Sequence, residues 1–243
     1  LRKNKMAEQY TVTIESVDYE GKGIARIEGK TVFVYGALAG EEVLIEIVKR
    51  KPSFDKAKLV EIIQASPKRV TPECPNYGVC GGCSMQHVSF DEQIRIKQQV
   101  LTDNLQHLGN VVAEEIMSPL AGVPWGYRHR ARLSARYVAK KGGALVGFRE
   151  KGAPYVLDMH QCLILPAHVS ALITPLRELV SAFSIRDKIP QIEVAVGTQI
   201  TILVIRNMEA LNAEDEQLIR QFIEQYSSLE NPLQIWLQPK GPE

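Results

Sequence analysis

The sequence predicts an α+β chain of more than one domain, in which a small five-stranded β-barrel of the OB type precedes a mixed α/β region. Three observations carry this. Residues 8–66 alternate apolar and polar side chains in short runs punctuated by glycine turns. From residue 90 onward, apolar residues recur at helical spacing between further strand-like runs. Between these two regimes, three of the four cysteines crowd into Cys74-Pro-Asn-Tyr-Gly-Val-Cys80-Gly-Gly-Cys83. The length, 243 residues, suits one large domain or two modest ones.

In the barrel, residues 10–17 alternate as a half-buried strand should, and Gly21 and Gly23 mark a turn into the next. Strands over 31–35, 42–48 and 57–63 complete it. Small barrels of this kind often bind single-stranded nucleic acid or carbohydrate. Lys49, Arg50 and Lys51 fall between the last two strands, where a binding loop would sit. A solvated loop on a structural barrel is the alternative, and charge alone favours it.

Beyond the cysteines, Ser89-Phe-Asp-Glu92 has the form of a capping box. The helix it opens places Ile94, Leu101, Leu105 and Leu108 on one face and ends at Gly109. Two strands are expected between Tyr127 and Phe148, separated by Lys140-Lys141-Gly142-Gly143. A second helix runs through Val169, Leu172, Leu176, Leu179 and Phe183, and Pro175 predicts a break near Thr174. Residues 192–196 and 200–205 flank Gly197-Thr198 as a hairpin, a third helix follows through Leu218, Phe222 and Tyr226, and a last strand spans 233–237.

The cysteines bear the most specific chemistry. A secreted disulfide scaffold is short and cysteine-dense, and this chain is neither. Clustered thiols in a reducing compartment are usually metal ligands or redox groups. Four thiolates, Cys74, Cys80, Cys83 and Cys162, suit a [4Fe–4S] cluster, with tetrahedral zinc as the second possibility. Gly78, Gly81 and Gly82 let the backbone wrap a cluster and present N–H groups to its sulfurs. A closed, non-catalytic cluster follows from the five-then-two spacing with a fourth thiol in reserve. His87 is expected to pack beside the cysteines rather than ligate, and His129 to be a partly buried strand residue.

Charge is segregated. The net charge is +1, yet residues 126–151 hold eight basic side chains against one acid, Glu150, for a local +7. The overall balance excludes a tail-driven nucleic-acid binder but not a local basic face. In a strand, Arg128, Arg130 and Arg132 would project from one face about 7 Å apart, close to the phosphate spacing of a nucleic-acid strand. Arg136 and Lys140 extend the row, and Trp125, Tyr127, Tyr137 and Phe148 offer stacking surfaces. RNA contact is favoured over a merely solvated face, because arginines so placed need an anionic partner.

In this order, the Gly21-x-Gly23 turn, Val34-Tyr-Gly-Ala-Leu-Ala-Gly40, Cys80-Gly-Gly-Cys83, Tyr127-Arg128-x-Arg130-Ala-Arg132, Gly147-Phe148-Arg149 and Asp158-Met-His-Gln-Cys162 resemble one family. It is the RumA/RlmD-type branch of RNA uracil-5-methyltransferases. The resemblance covers essentially the whole chain. It implies an N-terminal TRAM barrel over 8–66, an iron–sulfur loop over 67–90 and a central RNA-binding α/β region over 91–243, after an unstructured extension at 1–7. It implies a [4Fe–4S] cluster on Cys74, Cys80, Cys83 and Cys162, S-adenosylmethionine as methyl donor, and uridine in large-subunit ribosomal RNA as substrate. Candidate RNA contacts are Arg128, Arg130, Arg132, Arg136, Lys140, Lys49 and Lys51. In such enzymes a cysteine thiolate adds to uracil C6 so that C5 can accept the methyl group. Here the cluster uses every cysteine, and no strand, glycine loop and helix for the methyl donor follows Cys162. The expectation is therefore a chain cut before its catalytic domain and inactive alone. A stand-alone TRAM RNA-binding module with a structural iron–sulfur or zinc site is the alternative.

No apolar run reaches the roughly 20 residues of a membrane helix, and no apolar signal region follows the basic N-terminus. A cytoplasmic monomer without membrane partners is expected, with Met6 as its natural start.

Overall fold

The structure is a computed structural model and describes residues 8–240, so the extension expected at 1–7 lies outside it. The chain forms two compact units, one of residues 8–78 and 83–121, the other of 79–82 and 122–240.

The first unit holds β1 (Gln9–Thr13), β2 (Ser16–Val17), β3 (Lys22–Ile27), β4 (Lys30–Tyr35), β5 (Glu42–Arg50) and β6 (Phe54–Gln64). Their order is β1-β5-β6-β4-β3-β2. Since β1 and β2 are consecutive in the chain yet lie at opposite ends of this order, the bent first segment rolls the sheet on itself. The single strand expected over 10–17 is thus two. At the bend, the Ile14 N–H donates to Glu41 O (2.9 Å) and the Glu15 N–H to Ile24 O (2.8 Å), so adjacent residues serve different strands. The predicted alternation fills the interior with Val12, Ile14, Ala25, Val32, Val34, Val43, Ile45 and Ala57. Gly21 adopts φ 80°, and a Cβ there would sit 2.8 Å from Met85 Cγ. Both conformation and space demand glycine at this turn.

Helix α1 (Phe90–His107) starts where the sequence indicates, but not for the expected reason. Ser89 makes no side-chain capping bond, and Glu92 is held by Arg95 at 2.6 and 2.8 Å. The buried face is also different. Ile96, with Val100 beside it, packs on Val17, Leu38, Met85 and Val88, whereas Leu101 and Leu108 are exposed.

Glu41 is wholly buried in this unit. Its carboxylate accepts from Arg69 Nε (2.6 Å), Arg69 Nη2 (2.7 Å), Leu38 N–H (2.8 Å) and Ser66 N–H (3.2 Å). Burial pushes its pKa up, but the Arg69 guanidinium and the two backbone donors outweigh this and hold it below the usual carboxylate value.

The second unit is built on β7 (Arg130–Val138), β8 (Gly143–Gly147), β9 (Gln191–Val196), β10 (Thr201–Asn207) and β11 (Leu233–Pro239), in the order β11-β10-β9-β7-β8. Neighbours run antiparallel except β10 and β11, which are parallel and joined through α4 (Ala213–Tyr226). The expected break in the second helix falls at Leu172, between α2 (Ala167–Ala171) and α3 (Ile173–Ala182). Pro175 sits in the first turn of α3, where its missing N–H has no intrahelical partner to lose. Ala131, Leu133, Ala135, Ile192, Val194, Leu203 and Ile205 are buried on one face of the sheet, with Ile173, Leu176, Leu179 and Val180 buried on α3. The N-terminus of α4 carries a capping box unremarked in the sequence. Asn212 Oδ1 accepts the Asp215 N–H at 2.8 Å, and Asp215 returns the bond to the Asn212 N–H.

Candidate functional site

Strand β7 alternates as predicted, but it begins at Arg130. Ala131, Leu133 and Ala135 turn into the core, while Arg130, Arg132 and Arg136 are exposed on the other face. Arg128 lies outside the strand. Its N–H donates to Ile164 O (2.8 Å) and its guanidinium rests 4.9 Å from the Phe148 ring centroid. Phe148 is itself buried, so it offers no open stacking surface. His129, expected to be partly buried, is exposed one residue before β7.

Register carries the open face across four strands. Arg130 pairs with Ala195, Ala195 with Ile202, and Ile202 with Gln234. Arg132, Glu193, Val204 and Trp236 form the second row, and Ser134, Gln191, Arg206 and Gln238 the third. Directly opposed residues share a face, so these twelve side chains lie together. Arg132 pairs with Glu193 at 3.1 Å, and Gln191 Nε2 donates to the same carboxylate oxygen at 2.8 Å. Arg149 reaches Ser134 Oγ at 3.2 Å, bringing another guanidinium to the third row. Lys140 is exposed in the short 3-10 turn Ala139–Lys141.

Arg206 and Trp236 were missed by reading charge density along the chain. The alternation of Ile202, Val204 and Arg206, and of Gln234, Trp236 and Gln238, carries them on the polar-side phase of their strands. Only register reveals that they share a face with the arginines of β7.

In the first unit, Lys49 and Lys51 are exposed around the β5–β6 turn. Lys49 stands opposite Lys56 across the strands, a like-charge pairing that is unfavourable without an anion nearby. Arg50 between them is held by Glu8 and Asp55.

All four cysteines are thiols rather than disulfides. Cys74 and Cys83 belong to the first unit, Cys80 and Cys162 to the second, where both are buried. The Gly82 N–H donates to Cys80 Sγ at 3.3 Å, the kind of backbone contact that tunes an iron–sulfur cluster. A Cβ on Gly82 would lie 3.4 Å from that sulfur. The donor set and the N–H on sulfur fit an iron–sulfur cluster chemically. Among the described residues, no three His, Cys, Asp or Glu side chains are gathered as a metal site.

His87 is buried and stacks on Tyr77 at 5.7 Å between centroids. Tyr77 Oη lies 2.7 Å from Ser84 O and 2.5 Å from His87 Nδ1. A hydroxyl has one proton, so Oη donates to Ser84 O and His87 Nδ1 donates to Oη. Burial pushes the Tyr77 phenol up to about 12, with His87 and Arg69 opposing.

The TRAM domain family matches residues 5–60, the barrel. The chain is 51% identical to the 23S rRNA (uracil(1939)-C(5))-methyltransferase RlmD of Chromobacterium violaceum, over 97% of this chain and 46% of that protein. It is 52% identical to the RlmD of Cupriavidus metallidurans, over 96% of this chain and 50% of that one. The chain is similar to RlmD methyltransferases along nearly its whole length. The resemblance read from its motifs is borne out, and the chain spans about half the length of the curated relatives it matches. A solved tRNA (uracil-54, C5)-methyltransferase from Pyrococcus abyssi, in complex with S-adenosyl-L-homocysteine, has the same fold with a TM-score of 0.65 at 19% identity. That match covers 96% of this chain and 52% of the Pyrococcus one.

The expectation that this chain is cut before its catalytic domain is corrected. Nearly the whole chain shares its fold with part of a solved tRNA methyltransferase. The expected inactivity, which rested on that truncation, loses its support. Among the described residues, no helix is long and apolar enough to cross a membrane.

Proposed function

We propose that the protein serves 5-methyluridine formation in large-subunit ribosomal RNA, with S-adenosylmethionine as methyl donor, and that the described units recognise the RNA. The observation that carries this is the arginine row of β7, exposed on an open sheet face in a chain that shares half its residues with RlmD enzymes. Arg130 and Arg132, two residues apart on one face, would meet neighbouring phosphates, and Arg136 one further along the strand. Arg128 and Lys140 flank the strand, and Lys49 and Lys51 supply a second basic element on the TRAM barrel. The stand-alone binding module is the weaker reading, because the RlmD relatives match both units and not the barrel alone.

The test is nucleoside mass spectrometry of 23S ribosomal RNA from cells with the gene deleted. One 5-methyluridine should disappear and return with a plasmid copy. An unchanged 5-methyluridine content would refute the reading.

Cys74, Cys80, Cys83 and Cys162 would hold a [4Fe–4S] cluster in a structural role. When bound, the cluster supplies a rigid link among its four ligands and no step of methyl transfer. With all four thiols so assigned, no nucleophile is assigned among the described residues. Protein purified without oxygen should be brown, with broad absorbance near 400 nm, and Cys162→Ala should lose that colour. Colourless zinc-bearing protein, or a Cys162→Ala variant of full colour, would overturn the assignment.

A further inference from the structure

We propose that the open face of the second sheet is a platform for single-stranded RNA on which Trp236 stacks a base, an extension that rests on the RNA reading above. The face is wider than the basic strand. From Arg132 through Glu193 and Val204 to Trp236, one cross-strand row spans three strand intervals, about 14 Å. Trp236 is 57% exposed, a large aromatic to leave in water. Its Nε1 donates to Gln234 Oε1 at 3.0 Å, so the polar edge of the indole is satisfied within its own strand and the ring surface remains for contact.

The chemistry around it fits unpaired nucleotides. Arg130, Arg132 and Arg206 supply guanidinium groups within the three rows. Gln191, Gln234 and Gln238 each carry a donor and an acceptor suited to base edges. Ala195, Ile202 and Val204 form a low apolar floor between them. Arg206 Nε is buried with no hydrogen-bond partner among the described residues. Paired bases hide their ring faces in the duplex stack, so an exposed indole on an open sheet selects single strands. A protein partner is less suited, because charged and amide side chains outnumber the apolar ones on this face.

The full chain is titrated with a fluorescein-labelled oligouridine and with a duplex of equal length, following anisotropy and tryptophan emission. The oligouridine should quench indole emission in the wild type, and the duplex should bind more weakly. Trp236→Phe should keep most of the affinity but lose the RNA-dependent part of the quenching. Trp236→Ala should weaken binding about 5- to 100-fold, the effect of one lost stack. Because Trp236 is exposed, circular dichroism of the variant should match the wild type. Unaltered affinity in Trp236→Ala, silent indole emission or preference for the duplex overturns the platform while leaving RNA binding intact. Absence of any RNA binding by the wild type overturns the RNA reading itself. Self-association in ultracentrifugation that Trp236→Ala abolishes, with RNA affinity unchanged, assigns the face to protein contact and also overturns the proposal.

Discussion

Arg69→Met should destabilise the first unit by about 3–5 kcal/mol at neutral pH, because it strands a wholly buried carboxylate without its counter-charge. It also removes the donor to Gly36 O, bonded at 2.7 Å. The sign of the pH dependence separates this from simple loss of packing. In the wild type the Glu41 pKa is depressed on folding. Its contribution is therefore complete above the unfolded value near 4.5 and is lost as pH falls through the lower folded value. In the variant, burial is no longer opposed by the guanidinium, so the carboxyl titrates upward and neutralises as pH falls. The stability gap between the two proteins should narrow toward acid. Adding Glu41→Gln to Arg69→Met should recover part of the loss. Urea unfolding at pH 7 and pH 4 measures all of this, and an equal gap at both values would defeat the electrostatic explanation.

The second large effect concerns the salt dependence of RNA binding. Replacing Arg130, Arg132 and Arg136 together by alanine should lower the slope of log affinity against log salt by about two, at roughly 0.7 per phosphate contact on a single strand. Folding should survive, since all three are exposed while the core positions Ala131, Leu133 and Ala135 are untouched. Arg132 should contribute least, because Glu193 already neutralises it at 3.1 Å. A triple variant with the wild-type slope would remove β7 from the RNA contact.

Strand patterns were legible where one face is buried and the other wet. The barrel strands, the Gly197-Thr198 hairpin and the alternation of β7 all follow from period-two burial, which local sequence records. What failed depends on distant partners. The split of the first strand at Ile14 and Glu15 reflects hydrogen bonds to Glu41 and Ile24, which no local pattern encodes. The apolar spacing of α1 pointed to Leu101 and Leu108, yet the helix buries Ile96, because the wall it meets is made by Val17, Leu38, Met85 and Val88. The candidate site was half visible for the same reason. Three arginines in one strand are evident from their order, whereas Trp236 joins them only through the pairing of four strands.

The parallel docking of β11 on β10 has a consequence for synthesis. β7, β8, β9 and β10 can pair as soon as each emerges, since every contact among them is antiparallel. β11 must wait until α4 has been made and has carried the chain back along the sheet. Arg132 and Val204 are thus available early on the nascent protein, while the indole of Trp236 arrives last. On a chain still being translated, the exposed guanidinium groups of β7 would therefore be in place before the aromatic surface that completes their sheet face.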